Sequence, residues 1–242
     1  NTHETLTILE NAKKKECKII AFSLGGKMQE YCIKNNIDYR KIDQIHSPRA
    51  SFVKFFYSML KILGPIIPIP ENDVIDSIKS MNKIRNIISS KNLTDENPAK
   101  ELADWISNTP LIYYQWGLQS AAIRFKNSLQ ENAKTHAITE DVVEACHNGI
   151  VAWEKPSLIK PILLQGRDDY SQTKHRWNIL KEYFEDNKVD YREIKSVQGS
   201  ILSKLMNLVY FVDYVSIYKA IMQEVDPSPV KSIDFVKNRL TD

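Results

Sequence analysis

Two side chains that could carry proton transfer lie sixteen residues apart, a carboxylate at Glu131 and an imidazole at His147. Asn132 and Lys134 follow the first, and Asn148 follows the second. A carboxylate and an imidazole in one pocket can serve as two different proton-transfer groups, because their pKa values differ. Such residues are usually solvated surface groups, so the spacing by itself leaves both a catalytic pair and two surface side chains open.

Two basic side chains elsewhere could serve the same chemistry. Arg49 follows Pro48 in a loop ahead of an apolar helix, where a guanidinium can face a cleft and stabilise developing negative charge. Lys237 lies on the predicted terminal helix, between apolar Val236 and polar Asn238. Taken singly, a solvated arginine and a solvated lysine explain both equally well, so their role depends on the rest of the chain.

The sequence gives little support for a metal site or for a nucleophilic serine. The five histidines include no His-x-x-x-His pair, and no Cys/His cluster has zinc spacing, so no metal site is predicted. There is no Gly-x-Ser-x-Gly elbow of the hydrolase type. The pair Gly25-Gly26 follows a predicted strand; it could offer backbone N–H groups to an anion, or it could be a tight turn that needs positive φ.

The composition is ordinary for a globular protein, with 242 residues of which 43% are hydrophobic and 26% charged. That length fits two compact units or a large one. The net charge of +3, and a basic run at 13–15 without interleaved aromatic residues, do not predict nucleic-acid binding. The three cysteines form no Cys-x-x-Cys pair, which indicates reduced thiols and a cytoplasmic protein.

Hydrophobic periodicity predicts two α/β units that would position these side chains. In the first, a helix, a short apolar strand, the glycine turn, a second helix and a second strand follow one another. A polar stretch at 91–98 is the predicted linker. In the second unit, strands are predicted at 111–115, 161–165 and 190–194. The segment Thr139 to His147 is predicted to be helical, with Thr139 as N-cap.

Two further helices are strongly apolar. They are predicted over Ser51–Leu63 and Ile201–Glu224, and core and dimer contacts are their expected roles. A last helix is predicted over 230–240, after the break Asp226-Pro-Ser-Pro229.

Five short motifs occur in order along the chain. They are Asn1-Thr2-x-Glu4-Thr5, Gly25-Gly26, Pro48-Arg49-Ala50, Glu131-Asn132-Ala133-Lys134 followed by His147-Asn148, and Asp226-Pro-Ser-Pro229 with Lys237. Together they resemble one family, the bifunctional phosphoglucose/phosphomannose isomerases of archaea and some bacteria, which have the sugar-isomerase (SIS) fold. The fourth motif is the most specific, and the resemblance covers the chain from residue 1 to 240.

The resemblance implies an α/β fold with two SIS-type, flavodoxin-like subdomains, each a parallel sheet flanked by helices. Residues 1–90 would be the C-terminal part of the first subdomain, which is incomplete at its N-terminus. Residues 91–98 would be the linker, and 99–242 the second subdomain, the isomerase C-terminal domain.

The resemblance also implies the reaction, an aldose–ketose isomerisation that needs no metal or cofactor. Glucose 6-phosphate or mannose 6-phosphate would interconvert with fructose 6-phosphate through a cis-enediol. Glu131 would move the proton between C1 and C2, and Arg49 would stabilise the enediolate. His147 would assist ring opening from across the interface of a homodimer, and Lys237 would assist ring opening or hydrogen-bond the sugar.

The remaining implied roles concern substrate binding. Asn1 and Thr2 would belong to the phosphate site, with Thr2 in contact with phosphate. Ser228 would stand where a hydroxyl residue of the family admits the mannose epimer.

Two departures from the family pattern change these expectations. The family continues His-Asn with a glutamate, where this chain has Gly149, so altered packing or an altered interface is expected there. The family also has a segment ahead of the position of Asn1 that carries part of the phosphate site, so further residues are expected upstream. An alternative function is therefore a non-catalytic sugar-phosphate-binding or regulatory SIS module, which would bind fructose 6-phosphate without converting it.

Overall fold

The structure is a computed structural model that describes residues 3–15, 17–43, 45–92, 94 and 96–240. The chain packs as two compact units. The first consists of Asn1–Ile69 with Val230–Asp242, and the second of Pro70–Pro229. The second unit is therefore inserted, in chain order, into the first.

The first unit is built on a pair of parallel strands. Its elements are α1 (His3–Lys14), β1 (Ile20–Ser23), α2 (Lys27–Lys34), β2 (Asp38–Lys41) and α3 (Phe52–Leu63), and α10 (Lys231–Leu240) joins them after the second unit. β1 pairs with β2 in parallel. Leu9, Ala21 and Cys32, one from each of the first three elements, form its buried centre. The predicted order of helix, strand, turn, helix and strand is thus confirmed.

The second unit is built on a four-stranded parallel sheet in the order β4-β3-β5-β6. Its strands are β3 (Pro110–Tyr114), β4 (Ile138–Asp141), β5 (Lys160–Gln165) and β6 (Arg192–Lys195). Its helices are α4 (Glu71–Ile88), α5 (Pro98–Trp105), α6 (Gln119–Ala133), α7 (Val142–Ala145), α8 (Ser171–Asp186) and α9 (Ile201–Met222). The parallel sheets flanked by helices confirm the predicted fold class.

Both faces of this sheet are covered. Because side chains alternate along a strand, Tyr113 and Leu163 point to one face and Ile112 and Ile162 to the other. On the first face, an aromatic cluster forms around Phe184 of α8, whose ring lies 5.3 Å from that of Trp153. Strand burial on two faces explains why the central strands read as continuous apolar runs.

Helix α9 is the core helix of the second unit. It is long and apolar enough to cross a membrane by length and composition, but 50% of its most apolar window is buried. It packs against α4, α5 and α6, which matches the predicted core role. In α3, by contrast, no residue is fully buried, so the core role expected for that helix is not seen, and its dimer contact stays a prediction.

The predicted helix from Thr139 to His147 is wrong over its first three residues. Residues Ile138–Asp141 form the edge strand β4, and the helix α7 begins only at Val142. Its N-cap is Asp141, whose carboxylate accepts the N–H of Val143 over 2.8 Å. Thr139 instead pairs with Ile112 in the sheet.

The packing boundary lies ahead of the predicted linker at 91–98, because α4 belongs to the second unit. Asn207 of α9 donates to the Ser80 hydroxyl over 2.9 Å, and the Tyr218 hydroxyl donates to the carbonyl of Ile88 over 2.6 Å. Inside the predicted linker, the buried Asn97 caps α5 and donates to the same Ile88 carbonyl over 3.1 Å. Asn97, near the end of the predicted linker, is thus packed within the second unit.

Candidate active site

Glu131 lies in the last turn of α6, on a half-buried flank of the helix. The opposite side of α6 is apolar and buried, with Phe125 and Leu129 inaccessible to solvent. The helix ends at Lys134, whose left-handed backbone (φ 53°) lets its N–H bond the carbonyl of Leu129. Glu131 thus lies at the end of the helix, on a side that solvent can reach.

A row of polar contacts fixes α6 against α9. Arg124 forms a bidentate ion pair with Asp213, with N–O distances of 2.8 and 2.7 Å. Ser128 donates to the same carboxylate over 2.7 Å. Further along, the buried Asn132 amide donates to the Ser216 hydroxyl over 2.9 Å. Since these contacts follow successive turns, they restrain both sliding and rotation of the helix end that carries the carboxylate.

Lys134 joins the end of α6 to the segment that follows α9. Its ammonium donates to the carbonyl of Glu131 and, over 2.9 Å, to the carbonyl of Pro229. Within that segment, the Asp226 carboxylate accepts the N–H of Ser228 over 2.8 Å, in a turn that leaves Ser228 exposed. The structure therefore brings the Ser228 segment to the helix end that carries Glu131.

His147 is exposed in the turn that follows α7. Its N–H bonds the carbonyl of Glu144 over 2.9 Å. Strand β4 separates this turn from Glu131, because α6 ends before β4 begins and α7 follows it. A strand of four residues spans roughly 13 Å, and Glu131 precedes this strand in the chain whereas His147 follows it.

Glu140 of β4 packs against the same turn. A Cβ placed on Gly149 would lie 2.5 Å from Glu140 Oε1. Burial, and then the charge of Glu144, raise the pKa of the Glu140 carboxyl. The sequence prediction missed this residue because it placed 139–147 in a helix, whereas β4 sets Glu140 opposite the buried Tyr113.

Arg49 belongs to the first unit, where it opens a short 3₁₀ helix, Arg49–Ser51, and is half-buried. The buried Ser51 hydroxyl closes the preceding loop. It accepts the N–H of Ile45 over 2.9 Å and donates to the carbonyl of Ser47 over 3.0 Å. The backbone that presents the guanidinium is therefore fixed locally.

The other predicted residues of the first unit are less defined. Lys237 is exposed on α10. Asn1 and Thr2 lie outside the described residues. The predicted set is thus divided, with Arg49 and Lys237 in the first unit and the carboxylate, imidazole and hydroxyl candidates in the second.

No metal centre stands out in the part of the chain that the structure describes. Within it, no group of three or more His, Cys, Asp and Glu side chains is arranged to hold a metal ion.

Comparison with known sequences gives a consistent result. A family model, the bacterial phospho-glucose isomerase C-terminal SIS domain, matches residues 95–240. The bifunctional phosphoglucose/phosphomannose isomerase of Caldicellulosiruptor bescii is 32% identical over 251 residues, covering 100% of this chain and 74% of the relative. The protein of the same name from Aquifex aeolicus is 28% identical over 244 residues, covering 99% of this chain and 73% of the relative.

Solved structures of similar fold include two with sugar-phosphate names. The tagatose-6-phosphate ketose/aldose isomerase of Escherichia coli superposes with a TM-score of 0.70 at 14% identity, covering 94% of this chain and 67% of that one. A glucose-6-phosphate isomerase like protein of Thermus thermophilus gives 0.63 at 17% identity, covering 86% and 73%. At these identities the likeness shows the shared SIS fold.

Proposed function

The chain belongs to the bifunctional phosphoglucose/phosphomannose isomerase family and is an aldose–ketose isomerase, and from that premise we propose roles for its own residues. The substrates are glucose 6-phosphate and mannose 6-phosphate, each interconverted with fructose 6-phosphate. The observation that carries the assignment is the fixed presentation of Glu131 beside the Ser228 segment at the end of α6.

Glu131 is the base that moves a proton between two neighbouring carbons. In the open-chain aldose, C2 lies next to the C1 carbonyl, so loss of the C2 proton leaves its electron pair shared with that oxygen. Protonation of the oxygen gives the cis-enediol. Loss of the proton on O2 and return of the carbon-bound proton to C1 then give the ketose, so that Glu131 acts first as base and then as acid.

Arg49 stabilises the negative charge that appears on the oxygens of the enediolate. Its backbone is held by the Ser51 hydroxyl before substrate arrives. A cation that needs no rearrangement stabilises a developing charge most effectively. Lys237 is assigned to ring opening or to a hydrogen bond with the sugar.

His147 assists ring opening and comes from a second copy of the chain. It is exposed, and β4 separates it from Glu131 of its own chain. In a two-fold dimer, the His147 of each chain can serve the Glu131 of the other. The homodimer is therefore part of the proposal.

Substrate binding involves the start of α1 and the segment after α9. Asn1 and Thr2 directly precede α1, whose N-terminus favours a phosphate dianion. The hydroxyl of Ser228 is assigned to acceptance of the mannose epimer. The three free cysteines favour a reducing cytoplasm as the place where this sugar-phosphate chemistry occurs.

Glu131→Gln in the full-length protein tests the assigned base. Because glutamine has the shape of glutamate and cannot take the carbon-bound proton, kcat should fall on the order of 10²–10⁴-fold, with KM changed little. The readout is conversion of fructose 6-phosphate to the two aldoses. Glu182→Gln, at an exposed position of α8, is the matched control and should be as active as the wild type; wild-type turnover by Glu131→Gln would rule out the base.

A further inference from the structure

The turn that carries His147 is enclosed by two carboxylates. Glu144 holds it from α7, since its carbonyl accepts the N–H groups of His147 and Asn148 over 2.9 and 3.2 Å. Its carboxylate also accepts the side-chain amide of Asn148 over 2.7 Å. Glu140 meets the same turn from β4, on the side of Gly149.

The Glu140 carboxylate packs against Gly149, in the space that a Cβ at this position would enter. A Cβ on Gly149 would lie 2.5 Å from Oε1, 2.8 Å from Oε2 and 2.9 Å from Cδ of Glu140, all closer than carbon contacts allow. The backbone at Gly149 does not require glycine, because its φ is not among the positive values. A side chain at this position would therefore displace the Glu140 carboxylate from its place on the turn.

The base of Glu140 is fixed. β4 pairs with the central strand β3, and Glu140 lies opposite Tyr113, which is fully buried. The Tyr113 hydroxyl accepts the indole N–H of Trp153 over 2.9 Å. Trp153 lies in the 3₁₀ helix that begins at Gly149. The carboxylate is thus set where the sheet, the turn and the following helix meet.

We propose that Glu140 is a positioning residue for His147, and that its carboxylate, packed on Gly149, fixes the turn from which the imidazole projects. This inference rests on the proposed catalytic role of His147 and adds the residue that orients it. A contact that merely stabilised the edge of the sheet would affect unfolding, and its effect on turnover would not depend on His147.

A reciprocal exchange tests whether one carboxylate in this space is sufficient. Glu140→Ala should lower kcat on the order of 10–100-fold, since a misplacement of about 1 Å can cost that much. Gly149→Glu should also lower kcat, because two side chains then compete for one space. The variant with both changes should recover turnover relative to each single variant; a double variant no better than the worse single one overturns the proposal.

Glu140→Gln keeps the volume of the side chain and guards against a folding defect in the alanine variant. It should fold and retain most of the wild-type kcat. A loss of turnover by Glu140→Gln with unchanged thermal unfolding would contradict a role through packing.

A second cycle separates this inference from the role of His147. If Glu140 acts through the imidazole, Glu140→Ala should cause little further loss of kcat in a His147→Ala background. A further loss as large as in the wild type would overturn the positioning role and leave that of His147 intact. Full turnover by His147→Ala alone would overturn both.

Discussion

At the scale of single residues, the site depends on a lysine in a backbone conformation that favours glycine. Lys134 has φ 53°, ends α6, and reaches the carbonyl of Pro229, which is ninety-five residues away in the chain. A glycine would fit the left-handed backbone with less strain. The ammonium contact is therefore the feature that a glycine could not supply.

The variant Lys134→Gly should remove the ammonium contact while keeping the left-handed cap of α6. We expect kcat/KM to fall roughly fivefold, corresponding to the loss of about 1 kcal/mol from an exposed charged hydrogen bond. The stability to urea should change little, because relief of the positive φ offsets the lost bond. Steady-state kinetics and urea unfolding measure the two effects.

Lys188→Gly is the matched control, since Lys188 is exposed after α8 with φ 55°. It should be somewhat more stable to urea than the Lys134 variant, because it gains the same relief of positive φ without losing that bond, and it should keep the wild-type kcat/KM. Equal activity of the two variants would contradict a role for the contact between Lys134 and Pro229.

The sequence suggests which residues form the proposed site, and this stays a prediction; it gives no sign of most of the contacts that these residues make. Short sequence motifs, one around Glu131 and one at His147-Asn148, identify these two residues as candidates. The bond from Lys134 to Pro229 has no local signal, because hydrogen bonds between distant segments leave no periodicity. Glu140 was missed for a different reason, since it lies on a strand that the sequence prediction did not contain.

At the scale of elements, strongly periodic segments were predicted well and the edge strand was not. Central strands such as β5 are apolar on both faces, which is a clear signal. β4 pairs with one strand and has the sequence Ile-Thr-Glu-Asp, which is not a clear strand pattern. The helix-forming residues that follow it made the helix appear to begin earlier in the sequence. Pairing with β3, a tertiary effect, decides its conformation.

The start of the sheet is tied to α5 by Asp190. Its carboxylate accepts the indole N–H of Trp105 over 2.6 Å, and Lys160 and Arg192 donate to it over 3.1 and 2.8 Å. Burial by itself would raise the pKa of Asp190. The hydrogen bonds from Lys160 and Trp105 and the charge of Arg192 lower it by more, so the pKa lies below its usual range.

Asp190→Asn should therefore be destabilising in a pH-dependent way. A carboxyl whose pKa is lowered by folding contributes stability above its unfolded pKa, and that stability is lost as the pH falls toward the folded pKa. The variant should be less stable by at most about 1 kcal/mol near neutral pH, because the carboxylate is half exposed. The difference should shrink below about pH 4.

Urea unfolding of wild type and Asp190→Asn, near neutral pH and below about pH 4, measures the difference in stability. Asp186→Asn, at the exposed end of α8, is the control and should show no such trend. A difference between wild type and Asp190→Asn that grows on acidification would contradict the assigned ion pairs.

At the scale of the whole molecule, the residues proposed for the reaction come from both compact units and, in the case of His147, from a proposed second chain. Arg49 belongs to the first unit and Glu131 to the second. The imidazole proposed to act with Glu131 is that of a partner's chain. Motifs in a sequence do not reveal such sharing, because residues from separate units and separate subunits appear in the same linear order.

Hybrid dimers test the sharing of His147. Glu131→Gln and His147→Ala should each have strongly reduced turnover alone. A hybrid of the two has one site with both changes and one site with neither, so it should show about half the wild-type turnover per dimer. Co-expression with two different affinity tags isolates the hybrid; a hybrid as inactive as its parents would place both residues of each site in one chain.

The insertion of Pro70–Pro229 within the other unit has a consequence for synthesis on the ribosome. The inserted unit emerges as an uninterrupted stretch and can fold as soon as it clears the exit tunnel. The surrounding unit must wait, because the helix that carries Lys237 is translated after it. A nascent chain can therefore hold Glu131, the proposed base, in a folded unit before Lys237, its proposed partner, has been translated, so that a site of the proposed composition is completed only at the end of synthesis.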